Sequence, residues 1–155
     1  MNSKEKLEAY LKENVVQFET HHHAVAYTAQ EVAESEQVSG KLMVKVVMAF
    51  ADGKMVMLAV AAPKHVSLIK AAEATGAKDV RLAHEEEFAA AFPDCEVGAM
   101  PPFGNLYGMP VYVDDELAQD ETIVFNAGTH QDTIHMKYAD FERLVKPSQV
   151  SLSSA

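Results

Sequence analysis

Two apolar runs dominate the middle of the chain, Leu42 to Phe50 and Met55 to Ala61, with Ala51-Asp52-Gly53-Lys54 between them. Asp-Gly suits the tight turn whose twist matches a hairpin, so the runs are expected to be adjacent antiparallel strands. Both are apolar at alternate and intervening positions alike, which implies burial on two faces and covering helices. Leu7, Tyr10, Leu11 and Val15 recur at helical spacing behind Ser3, a candidate N-cap, and predict an amphipathic helix over 4–14. A short strand is expected at 15–18. Thr28 and Glu31 form a Thr-x-x-Glu capping box, and Gly40 can take the left-handed conformation past a helix end, which places a second helix at about 29–37.

Beyond Pro63, the residues Val66, Leu68, Ile69 and Ala72 form a helical stripe that Gly76 can close. A strand at 80–83 and a helix at about 85–91 follow, with Glu85, Glu86 and Glu87 where the helix dipole favours acid. Residues 93–110 hold three Gly and four Pro, too many for a regular element, and predict a shaped surface loop. Strands are expected at 110–113, 122–127 and 133–137, a closing helix at 139–145, and a loose tail from Ser148 to Ala155. One domain, residues 1–147, therefore precedes a flexible end, with no internal repeat or interdomain linker.

Composition narrows the class. A chain of 155 residues, 48% hydrophobic and 23% charged, suits one globular core. No apolar run approaches the roughly 18 residues a membrane span needs, and the charged start lacks the apolar stretch of a signal peptide, so neither membrane insertion nor secretion is expected. The single Cys95 cannot form an internal disulfide and is too little for a cysteine-based metal site, which favours a reducing, cytoplasmic location. Thirteen basic against twenty-three acidic residues give a net charge of −10, which opposes DNA or any long polyanion but leaves room for local recognition of one RNA end.

Lys45 places one ammonium inside the apolar strand Leu42 to Met48, so it either reaches solvent at a sheet edge or lines a site that uses it. The segment Gly98-Ala99-Met100-Pro101-Pro102-Phe103-Gly104 alternates backbone freedom and rigidity, which suits either a pocket wall or a rigid connector. Asn126-Ala127-Gly128-Thr129-His130 follows a strand; its turn could offer backbone N–H donors to an oxyanion, with His130 exchanging protons, or could be a plain hairpin turn. His21-His22-His23 invites a metal, but successive strand residues point to opposite sides, so three in a row cannot reach one ion and no metal is expected. His65 and His84 are expected at helix starts. Cys95, flanked by Asp94 and Glu96, is a poor thiolate, and neither a Gly-x-Ser-x-Gly elbow nor a phosphate-binding loop is present.

Taken together, His23 with Thr28-Ala29-Gln30-Glu31-Val32-Ala33, then Lys45, Gly98 through Gly104, Pro110-Val111-Tyr112-Val113-Asp114 and Ala127-Gly128-Thr129-His130 resemble the YbaK and prolyl-tRNA synthetase editing-domain family over about residues 15–147. The resemblance implies an α/β fold with a mixed, twisted, barrel-like sheet surrounded by helices, and hydrolysis of the ester joining a wrong amino acid to the terminal adenosine of a tRNA. It implies that Lys45 holds the acceptor end and that Gly128, Thr129 and His130 lie at the reacting ester. His23, Thr28, Gly98, Met100, Pro101, Pro102, Phe103 and Gly104 would then contact the substrate. No cofactor is implied; the partner is a tRNA acceptor end, held weakly and with help from a synthetase. An activated ester needs only a positioned water, a polarised carbonyl and exclusion of bulk solvent, which fits the missing nucleophile. Two other readings stay open: a binding module on the same fold for a nucleotide, small ligand or protein, and a different small esterase or amidase.

Overall fold

The computed structural model describes residues 2–24, 26, 28–36 and 39–154. In chain order its elements are α1 (Ser3–Glu13), β1 (Phe18–His22), α2 (Ala29–Ser35), β2 (Val44–Ala51), β3 (Lys54–Ala61), β4 (His65–Val66), α3 (Leu68–Thr75), β5 (Val80–Leu82) and α4 (Glu85–Ala89). A short 3-10 turn at Gly104–Tyr107, β6 (Val111–Asp114), another at Leu117–Gln119, β7 (Thr122–Asn126), β8 (Asp132–Lys137), α5 (Tyr138–Val145), β9 (Ser148–Val150) and β10 (Ser153–Ser154) complete it.

The apolar hairpin forms as its pattern predicts, β2 pairing antiparallel with β3 from Val44↔Ala61 to Ala51↔Lys54. Asp52 (φ 49°) and Gly53 (φ 81°) both adopt the positive φ that this turn demands. The hairpin is the middle of a five-stranded sheet, β5-β2-β3-β6-β9, which is mixed because β3–β6 and β6–β9 are parallel. A three-stranded antiparallel sheet, β1-β8-β7, joins it through the bridge Met43↔Val124, and β10 pairs with β4. The barrel-like expectation is thus met by sheets joined at one bridge and not by a closed ring of the described strands.

Two-sided burial follows from strand alternation. Val44, Met48, Met57 and Ala59 face a cluster containing Leu7 and Leu11 of α1 and the rings of Phe103, Phe125 and Phe141. Ala49, Val56, Leu58 and Val60 face Ala71 of α3 and Leu152. Among the described residues no helix is long and apolar enough to cross a membrane.

Several expectations need correction. Asn2, not Ser3, caps α1, its side chain accepting from the Glu5 N–H at 2.9 Å. The strand expected at 15–18 begins only at Phe18, because Val15 turns the chain with φ 56° and is 89% exposed. Thr28 caps α2 as expected, but the helix closes at Glu36 and not near Gly40; Gln37 lies outside the described residues. His84 starts α4, whereas His65 lies in β4. The Pro- and Gly-rich segment is no surface loop throughout: Ala99, Met100, Pro101, Pro102, Phe103 and Gly104 are all buried. Its apolar side chains fill the space beside the hairpin, Phe103 standing 5.5 Å, ring to ring, from both Phe125 and Phe141.

The segment expected to be a loose tail is docked as far as it is described, Ala155 lying outside. β9 extends the main sheet, Leu152 is fully buried, and the Asp114 carboxylate accepts from Leu152 N–H (2.8 Å), Ser153 N–H (3.0 Å) and Ser153 Oγ (2.9 Å). The tail pattern concealed this because its anchor is one leucine among polar residues. Replacing a fully buried leucine by alanine costs about 2–5 kcal/mol. Leu152→Ala is therefore expected to lower unfolding free energy by about that amount in urea titration, where a free tail would give no change.

Candidate functional site

A cavity of about 220 Å3 opens where α2 begins, beside the first residues of β2. Thr28, Ala29, Val44, Lys45, Val46, Gly98, Met100 and Asn126 line it, bringing four separate chain segments to one place. Four of the residues singled out from sequence meet here: Thr28, Lys45, Gly98 and Met100. Three larger depressions, of about 300 Å3 beside β1 and β8, about 330 Å3 beside Pro63 and about 340 Å3 beside α3 and β9, hold none of the residues singled out as a site. Chemistry, not size, separates the four.

Lys45 belongs by strand parity with Val47 and Ala49, at the end of β2. Its Nζ donates to the Lys64 carbonyl oxygen, and burial pulls its pKa below the usual lysine value. The ammonium is thus partly desolvated and held by one backbone acceptor. Thr28 is committed to its helix: Oγ1 accepts from Glu31 N–H at 3.1 Å and donates to Glu31 Oε1 at 2.9 Å. Asn126 was not singled out by itself, yet it is 8% exposed, lines the cavity, and its Oδ1 makes no hydrogen bond among the described residues. A buried acceptor without a partner on a residue of the cavity wall is the signal, and only the tertiary structure supplies it.

The Gly128-Thr129-His130 turn backs the cavity wall without lining it. Gly128 has φ 95°, and a Cβ there would lie 2.6 Å from Ser3 Cβ, so only glycine fits. Its N–H donates to the Ala99 carbonyl at 2.9 Å and its carbonyl accepts from Glu96 N–H at 2.8 Å. His130 N–H donates to the Glu96 carboxylate at 2.7 Å, and His130 Nε2 donates to the Val97 carbonyl at 2.8 Å. Four bonds therefore fasten the turn to residues 96–99 and fix Gly98. The expectation that these N–H groups are free for an oxyanion does not fit the Gly128 and His130 donors, which already have acceptors.

Thr129 Oγ1 donates to Asp132 Oδ2 at 2.6 Å, and His22 and Lys4 approach Oδ1 at 3.0 and 3.4 Å. Burial pushes the Asp132 carboxyl up, but the hydrogen bonds from Thr129, His22 and Lys4 outweigh it and leave its pKa below the usual aspartate range. Pro101, Pro102, Phe103 and Gly104 lie behind Met100 in the buried interior, outside the cavity lining. His23 is also outside it, beside Glu36. Cys95 contacts Ser3 and Tyr107 away from the lining, and burial raises its thiol pKa, in keeping with its exclusion as a nucleophile.

Residues 23–144 match the sequence pattern of the aminoacyl-tRNA editing domain. Proline–tRNA ligases from two strains of Acidithiobacillus ferrooxidans are each 29% identical over 126 residues, 81% of this chain and 22% of theirs. The chain thus spans about a fifth of the length of these curated relatives. Among solved structures, a protein proposed as a trans-editing enzyme for prolyl tRNA synthetase superposes with a TM-score of 0.83 at 18% identity, covering 99% of this chain and 98% of its own. A protein described only as hypothetical gives 0.87 at 18% identity, covering 96% and 99%. At that identity the likeness establishes the α/β fold.

Because the depressed Asp132 carboxyl is charged in the fold at pH values where an unfolded aspartate protonates, its contribution is complete above about pH 4 and is lost as pH falls through the lower folded value. Urea unfolding of wild type and Asp132→Asn from pH 7 downward is expected to show a stability gap that closes in acid. A gap independent of pH would show that the charge is not what holds the turn.

Proposed function

Since this chain belongs to the aminoacyl-tRNA editing domain family, we propose that it is a deacylase that acts in trans on tRNA carrying a wrong, small or medium amino acid. The observation that carries this reading is the cavity walled by Lys45, Gly98, Met100 and Asn126. At about 220 Å3 it is smaller than the roughly 300 Å3 at which drug-sized ligand pockets begin, which fits an aminoacyl group. Met100 and Gly98 bound the side chain, Asn126 Oδ1 accepts from the α-ammonium, and the adenosine remains outside. Lys45 exchanges its Lys64 carbonyl for the ester oxygen or the terminal phosphate, and a held water attacks the carbonyl carbon. The bond from the carbonyl carbon to the ribose oxygen breaks, a proton from the water restores the ribose hydroxyl, and the amino acid leaves with the water's oxygen. Size exclusion at such a cavity is the logic of a second sieve, which removes what a synthetase cannot reject by binding.

The relatives support this reading through two of their names, a proline–tRNA ligase and a proposed trans-editing enzyme for its synthetase. The net charge of −10 supports a weak hold on tRNA, as does the pairing of Lys41 with Asp120 (3.7 Å) and of Lys64 with Glu116 (3.3 Å), which neutralises two cations at the separate depression beside Pro63. Affinity supplied by a synthetase fits that balance.

One observation favours the second reading, a binding module without turnover. Lys45 Nζ and the N–H groups of Gly128 and His130 already have partners, so these three donors, among the described residues, are not free for an oxyanion.

A panel of mischarged tRNAs separates the two. Wild type is expected to release one or a few small amino acids, and Lys45→Ala to lower kcat/KM by about 10²–10³-fold with unfolding unchanged. Release at background from every tRNA, in the presence of prolyl-tRNA synthetase as well, would establish the binding module instead. Met100→Ala is expected to keep activity and shift preference toward larger aminoacyl groups by about 10–200-fold.

A further inference from the structure

Three histidines converge on one carboxylate away from the cavity. Strand alternation puts His21 and His23 on the same side of β1 and its continuation, while His22 points the other way to Asp132. β8 pairs beside them with His21 opposite Thr133, so Thr133 and His135 share that side. Glu36, at the C-terminal end of α2, reaches into the group with a side chain only 5% exposed. Its Oε1 lies 2.9 Å from His135 Nε2, and its Oε2 accepts from Thr133 Oγ1 at 2.6 Å. The His21 ring lies over His135, centroids 4.0 Å apart.

One contact in this group is left without a hydrogen bond. His23 Nδ1 is 2.6 Å from the Ala24 carbonyl oxygen, which can only accept, so Nδ1 carries the proton. In neutral His23 the second nitrogen, Nε2, is then a lone pair, and it lies 3.3 Å from the Glu36 Oε2 lone pairs in a side chain 5% exposed. The contact is at ion-pair distance but lacks hydrogen-bond alignment, leaving a buried acceptor against a carboxylate. Such an arrangement costs free energy unless a cation, either a proton on Nε2 or a metal ion, is shared between the two.

From this geometry we infer a metal site for a borderline divalent ion of the zinc class, held by His21, Glu36 and His135, with His23 against the second Glu36 oxygen. One ligand atom from each of the first three lies within 4.8 Å of the others. Tetrahedral Zn2+ at about 2.0–2.1 Å from its ligands needs them roughly 3.4 Å apart, so binding requires the three side chains to adjust. Imidazole nitrogens with one carboxylate suit Zn2+ and disfavour Ca2+ or Mg2+, which take oxygen. Exposed His21 provides the entry side. The ion displaces the proton between His135 Nε2 and Glu36 and ties the end of α2 to β1 and β8. The opposite end of α2 carries Thr28 and Ala29 of the cavity wall, so the ion would brace that wall.

The test uses the untagged full chain, Zn2+ in calorimetry and Co2+ in visible absorption. One saturable equivalent is expected, with the strong visible bands of tetrahedral Co2+ and a higher melting temperature in Zn2+. His135→Ala and Glu36→Gln are each expected to weaken binding by about tenfold or more, while His22→Ala, on the opposite side of the strand, keeps it. His21→Ala, which removes an exposed ligand, serves if Glu36→Gln fails to fold. No saturable 1:1 binding, binding unmoved by His135→Ala, or equal losses in His22→Ala and His135→Ala would each overturn the site. The readout is metal binding, so it stands or falls apart from deacylation.

Discussion

The two-sided burial of the β2–β3 hairpin is the constraint on which the rest of the structure depends. Ten or more apolar side chains on two strands cannot be left wet on either face, so each face recruits its own cover. On one side α1, α5 and the Phe103, Phe125 and Phe141 rings close over Met48 and Met57; on the other α3 and Leu152 close over Leu58 and Val60. The cavity lies at the end of β2, and there Lys45 finds the Lys64 carbonyl and partial exposure instead of full burial.

A second layer of constraint is polar. The Gly128 turn is bonded to residues 96–99 at four points, and Thr129 and Asp132 hold the turn from behind. Groups that a motif would read as reacting at an ester serve here to fix the Gly98 backbone. The proposed deacylation, which uses no protein nucleophile, would require pre-positioning of this kind, because its rate would depend on where the ester and the water are held. His130 accordingly fits a positioning role, its ring against the Gly98 backbone and its Nε2 on Val97.

The short helix α2 links two otherwise separate features. Its N-terminal end forms part of the cavity wall and its C-terminal end carries Glu36 into the histidine group. Seven helical residues span only about 10 Å, so whatever fixes Glu36 also fixes Thr28 and Ala29. Fold position, not shared chemistry, connects them.

The sequence by itself determined the central hairpin, the α2 cap at Thr28, the order of helices and strands from α3 to α5, and the family resemblance. Each rests on local patterns, an Asp-Gly turn, a capping box and apolar periodicity, whose physics acts over a few residues. It also isolated Lys45, because a charge in an apolar strand conflicts with its surroundings wherever the strand is placed. Only the tertiary structure decided that Asn126 lines the cavity, that Phe103 is core and that Leu152 anchors the C-terminal strands. It alone showed that the Gly128 and His130 N–H groups already have acceptors. It likewise brought Glu36 and His135 to His21, which the argument from three successive histidines had set aside. Each of these depends on residues far apart in the chain, and no local preference can report a partner that the fold supplies from a hundred residues away.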